Sequence, residues 1–119
     1  MILNKNIHKV NILGTEYTVV FDSNSKNPKL EYKDGYVDTS VKRIVIRDYF
    51  EDSVDNLEDL EEFQAKVLRH EIIHAFLHES GLDAQSPWAV NEEMVDWFAI
   101  QFYKITNAID LFVIDEVIL

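Results

Sequence analysis

The 119 residues include no cysteine, only three glycines and two prolines, and no long apolar run. Without cysteine there is no disulfide framework, no thiolate metal site and no thiol nucleophile, so a transition metal would have to be held by His, Glu or Asp. A reducing compartment is expected. The opening MILNKNIHKVNILG lacks the basic stretch and long apolar core of a secretory signal, and runs such as IIHAFL are far too short to span a bilayer. A cytoplasmic, unanchored protein is the expectation. Positive charge is scarce too: 11 Lys and Arg face 22 Asp and Glu, for a formal net charge of −11. Such a surface repels phosphate backbones and anionic lipid, so neither nucleic acid nor membrane is expected as a partner. Solubility is the plain reading of the acidic balance.

What is present reads as one domain, residues 1–119, with 47% hydrophobic residues and no internal repeat. IHKVNIL (7–13) and TEYTVVF (15–21) are rich in β-branched residues and flank Gly14, which predicts a hairpin. A polar loop at 22–29 follows, then two further strands near 35–39 and 42–47, with DGY and TSVK as breaks. In the second strand, KRIVIR, the backbone could form a sheet edge for a peptide; a half-buried strand is the plainer reading of its side chains. Between Asp48 and Glu62 lie eight acidic residues and no basic one, suited to the positive end of a helix dipole. That helix is expected from about 57 to 79, with a stop at Gly81 and a solvated line of Glu58, Glu62, Lys66 and Arg69. Residues 70–78 should be buried nearly all round. A second helix is expected over 90–105. A short third one would cover NAIDLFVIDEVIL, packing Leu111, Ile114 and Ile118 on the body, with a strand as the alternative its β-branched content allows. The fold class is thus α+β: a small, mostly antiparallel sheet packed on two helices.

The first helix holds LRHEIIHAFLHESG, with His70, His74 and His78 each four residues apart. Two histidines at that spacing differ by about 40° of rotation and 6 Å of rise, so their rings can converge on one tetrahedral ion. Glu71 is rotated by about 100°, which lets its carboxylate reach a water at the metal without itself coordinating. Zinc would acidify that water and polarise a scissile carbonyl, while Glu71 carries the proton. With four His and eleven Glu in the chain, chance places this H-E-x-x-H pattern about 1% of the time. Histidines hydrogen-bonded in a core are the plain alternative. For a third ligand Glu92 is preferred. Asp96, four residues on, would hold the outer nitrogen of a ligand His. His78, Asp96 and Glu93 are the other candidates for that third position, although His78 lies about 12 Å and 80° from His70, too far to share its ion on a straight helix.

HEIIH followed by NEEMVD resembles the gluzincin metallopeptidases, whose pattern is H-E-x-x-H with N-E-x-x-x-D on the next active-site helix. The short form, with a sheet before the motif and a His closing HEIIHAFLH, is similar to the small ImmA/IrrE-like metallopeptidases of bacterial phages and mobile elements. Ile73 stands where those proteins usually have Gly, and the chain is too short for the extra helical subdomain of larger gluzincins. The resemblance implies Zn2+ on His70, His74 and Glu92, Glu71 as catalytic base, Asp96 beside a ligand His, and a peptide or protein substrate. His78, Tyr103 and Tyr36 are candidates to stabilise the oxyanion. A different class of function is a zinc-binding regulatory module of the same fold, in which the metal mainly stabilises a small domain.

Overall fold

The structure is a computed structural model and describes residues 3–49 and 59–114. Strands β1 (Lys9–Ile12) and β2 (Thr15–Asp22) pair antiparallel, Ile12 opposite Thr15, around a two-residue turn. Both turn residues have positive φ, 49° at Leu13 and 91° at Gly14, as a turn matching the right-handed strand twist requires. Glycine occupies the second position without steric cost, and Asn11 Oδ1 accepts its N–H at 2.8 Å.

The chain then crosses a 3-10 turn, Pro28–Glu31, capped by Asn27. It forms β3 (Gly35–Asp38) and returns as β4 (Arg43–Arg47), antiparallel to β3 and parallel to β2. The sheet order is β1-β2-β4-β3. Two of its three pairings are antiparallel, so the architecture is α+β with a mixed, mostly antiparallel sheet. Of the two readings of KRIVIR, the open edge fails: β4 is paired on both sides, and Ile44, Val45 and Ile46 are all buried. A central strand has no backbone groups left for a ligand. The open edges belong to β1 and β3.

Helix α1 (Leu60–Glu79) lies across β1, β3 and β4. Asp59 caps it by accepting the Glu62 N–H, and Gly81, at φ 79°, ends it by donating to the His78 carbonyl. The expected residues 57 and 58 lie outside the described residues. The core forms where Ile12, Tyr17, Val19, Ile44 and Ile46 meet Val67 and Ala75 of the helix. Tyr17 and Val19, and Ile44 and Ile46, share a face because side chains alternate along a strand. Gly35 is no strand break. A Cβ there would sit 2.9 Å from the Val45 carbonyl oxygen and 3.1 Å from Val67 Cγ1, so glycine lets β3 approach α1 closely.

Helix α2 (Glu92–Asp110) runs antiparallel to α1, as the pairs His70–Glu92, Lys66–Asp96 and Arg69–Ala99 show. Val95 and Ala99 are fully buried against it. This arrangement corrects three expectations. The line of Glu62, Lys66 and Arg69 is not solvated but faces α2: Lys66 Nζ is 3.5 Å from Asp96, and Arg69 Nε donates to the Ala99 carbonyl at 2.5 Å. Glu58 lies outside the described residues. Residues 70–78 are not buried all round, since Phe76 is exposed on the flank away from the sheet's cover. Residues 107–110 continue α2 rather than starting a third helix, and Leu111 and Ile114 stand in solvent instead of packing on the body. Ile118 lies outside the described residues. No helix among the described residues is long and apolar enough to cross a membrane.

Candidate metal centre

α1 contributes His70, Glu71 and His74, and α2 contributes Glu92 and Asp96 at its first turns. Asn91 sets their position: its side chain accepts the Met94 N–H at 2.8 Å, so it caps α2 and makes Glu92 the first helical residue. The asparagine of NEEMVD thus has a structural reason.

The donor atoms converge. His70 Nε2 and His74 Nε2 are 3.2 Å apart, and Glu92 places Oε2 3.0 Å from the first and Oε1 3.0 Å from the second. Zn–N distances of about 2.0–2.1 Å imply donor–donor edges of about 3.4 Å around a tetrahedral ion. The observed triangle is close to that, so the residues fit the metal. Asp96 Oδ1 lies 3.4 Å from His70 Nδ1, the opposite ring nitrogen, and 3.5 Å from Lys66 Nζ. It can hold the ring with Nε2 directed at the ion.

Glu71 lies beside the two histidines, 6% exposed, and its Oε2 has no hydrogen-bond partner among the described residues. Burial pushes its carboxyl up to about 7; nearby Glu92 adds to the rise and His70 opposes it. The donor atoms of His70, Glu71 and His74 all lie within 4.8 Å of one another. Around them opens a cavity of about 660 Å³ bounded by β3, the middle of α1 and the start of α2.

The remaining candidates fall elsewhere. His78 does not line the cavity; its Nδ1 is 2.8 Å from Oδ2 of Asp83, a cavity-wall residue past the end of α1. Tyr103 lies over the Arg69 guanidinium, in a separate groove with Asp59, Glu62 and Lys104. Its place near the site is corrected by helix geometry, since it lies almost two turns beyond Asp96. Glu93 is exposed. Tyr36 does line the cavity, and its hydroxyl accepts from Asn27 Nδ2 at 2.7 Å. Sequence reasoning passed over Lys33, Asp34 and Thr39 on the same wall. Nothing in their spacing marks them; only Gly35, a lone glycine at the start of a strand pattern, signalled a close approach there.

No family model, curated protein or solved structure matches the chain.

Proposed function

We propose that the chain is a zinc-dependent peptide-bond hydrolase of gluzincin type, similar to the small ImmA/IrrE-like metallopeptidases and encoded by a phage or mobile element. One observation carries this: three donors on two helices form a triangle at a cavity, the two imidazoles within 4.8 Å of a buried carboxylate whose Oε2 has no partner among the described residues.

His70, His74 and Glu92 would hold the ion. Bound there, zinc supplies a Lewis acid that polarises a carbonyl and acidifies water. Glu71 accepts the proton of the attacking water and delivers it to the leaving amine. A carboxyl held near 7 suits both halves of that exchange. Asp96 fixes the His70 ring. The unpaired edge of β3 runs along the cavity and offers main-chain hydrogen bonds to an extended peptide. Of the three groups considered for the oxyanion, Tyr36 is the one on the cavity wall.

One observation favours the regulatory-module reading. The proximity of Glu71 to both imidazoles allows it to act as a fourth ligand with Glu92, which would close the site as structural zinc sites are closed. Glu71→Gln separates the two. For a hydrolase, protein purified without added zinc keeps its metal and loses cleavage of unfolded protein substrates, whereas His74→Ala loses both. For a structural site, Glu71→Gln loses metal and melts lower. Full activity in Glu71→Gln would overturn the hydrolase.

A further inference from the structure

α2 is staggered against the helix that covers it. α1 begins at Leu60, roughly level with Lys104 given the antiparallel pairs, so the last turns of α2 project past it. The apolar pattern does not stop there. Phe98, Phe102, Ile105 and Ile109 recur at four, three and four residues, and Phe112 follows three later, just past the helix end. That is the spacing of a seam between paired helices. Phe98 and Ile105 on this line are half-buried, whereas Phe102 is 49%, Ile109 56% and Phe112 87% exposed. Leu111, Val113 and Ile114 beside Phe112 are exposed too, Ile114 at 90%. Exposed apolar side chains gathered at one helix end mark an interaction site.

We propose that this face is the interface of a two-fold dimer, in which the C-terminal half of α2 packs on the same half of a second copy. Three phenylalanines and five aliphatic side chains at these exposures approach, to order of magnitude, the roughly 800 Å² per partner of a standard interface. Charge selects the occupant. From Trp97 to Ile114 the only charged residues are Lys104 and Asp110, so the patch is neutral in a chain of net charge −11. It is the surface on which two such acidic chains can meet without burying like charges. A second copy brings the same neutral stripe, and an isologous interface needs no other partner.

Sedimentation velocity on the full metal-loaded chain, from about 1 to 100 μM, tests this, because interfaces of this size bind at μM or tighter. The expected result is a concentration-dependent dimer. Ile109→Glu and Phe112→Glu each raise its dissociation constant at least about tenfold with unchanged circular dichroism, while Ile109→Leu keeps it. If Ile109→Glu unfolds, Phe112→Glu, beyond the helix, decides. A wild-type monomer throughout the range overturns the proposal, as does a dimer that both charge variants leave intact. Monomeric wild type that co-sediments with neutral phosphatidylcholine vesicles would assign the face to lipid, which also overturns it.

Discussion

Glu71 and Glu79 stand two turns apart on one helix and meet opposite surroundings. Glu71 is buried with one oxygen unpartnered among the described residues, and its carboxyl rises to about 7. Glu79, at the helix end where the dipole disfavours an acid, accepts from Lys42 Nζ at 2.9 Å, Tyr17 Oη at 2.6 Å and Thr15 Oγ1 at 2.8 Å. Those bonds hold it down at about 2. The first arrangement costs stability and leaves a carboxylate available to a reacting water. The second ties the end of α1 to the β1–β2 hairpin and to the β3–β4 turn. The middle of the helix is therefore built for chemistry and its end for anchorage.

The largest break in that comparison is kinetic. Glu71→Gln should lower cleavage about 10²–10⁴-fold, the usual weight of a general base, with zinc content unchanged. Glu79→Gln should do the reverse, lowering the melting temperature while turnover per folded molecule stays near wild type. Activity assays with metal analysis and thermal melts of both variants check it. Similar losses in both would mean that α1 is not divided in this way.

Stability against pH sharpens the contrast, because the two carboxyls have slopes of opposite sign. Glu79 is depressed, so between its ordinary 4.5 and about 2 the unfolded chain binds more protons and stability is lost as pH falls. Glu71 is raised, so between 4.5 and about 7 the folded chain binds more protons and stability is lost as pH rises. The second effect is on the order of 3 kcal/mol across its window. Urea titrations of chelated protein should therefore show stability declining from pH 4.5 to 7. Glu71→Gln should flatten that decline and leave the acid limb, and Glu79→Gln should do the opposite. A decline that persists in Glu71→Gln would mean that another group carries it.

Much of the first arrangement was legible in the chain, and the second was not. The spacing of His70 and His74 follows from 3.6 residues per turn, so a local pattern carries it across to three dimensions. The approach of Glu92 and Asp96 rests on a helix capped by Asn91, and that signal is local too. The four strands were readable from β-branched runs between turn residues. Their order was not: it depends on β4 entering between β2 and β3, a pairing between residues distant in sequence, and so an edge role for the KRIVIR backbone stayed open. Glu79 looked like one acid among many, because its three donors come from β2 and from Lys42, 37 to 64 residues away. Arg69 and Lys66 looked solvated for the same reason, their partners being on α2. The overlong apolar pattern at 107–114 was read as a packed helix because periodicity shows that a face is apolar without showing what it faces.

The smallest test isolates one bond of the anchor. Tyr17 is fully buried, and its hydroxyl shares Glu79 Oε2 with Lys42. Tyr17→Phe removes the donor without a cavity and leaves no buried hydroxyl unpaired, so only the bond itself is lost, about 1–2 kcal/mol. Lys42 and Thr15 still hold Glu79, but with one donor fewer its carboxyl rises from about 2 toward its ordinary range. The acid limb of the stability curve should then be shallower and level off at higher pH, its onset near 4.5 unchanged. Urea denaturation at neutral and acid pH measures both effects, and zinc content with cleavage supplies the control. An unchanged acid limb would show that Lys42 and Thr15 suffice to hold Glu79. A loss of cleavage at unchanged stability would show that the anchor reaches the metal centre, eight residues up the helix.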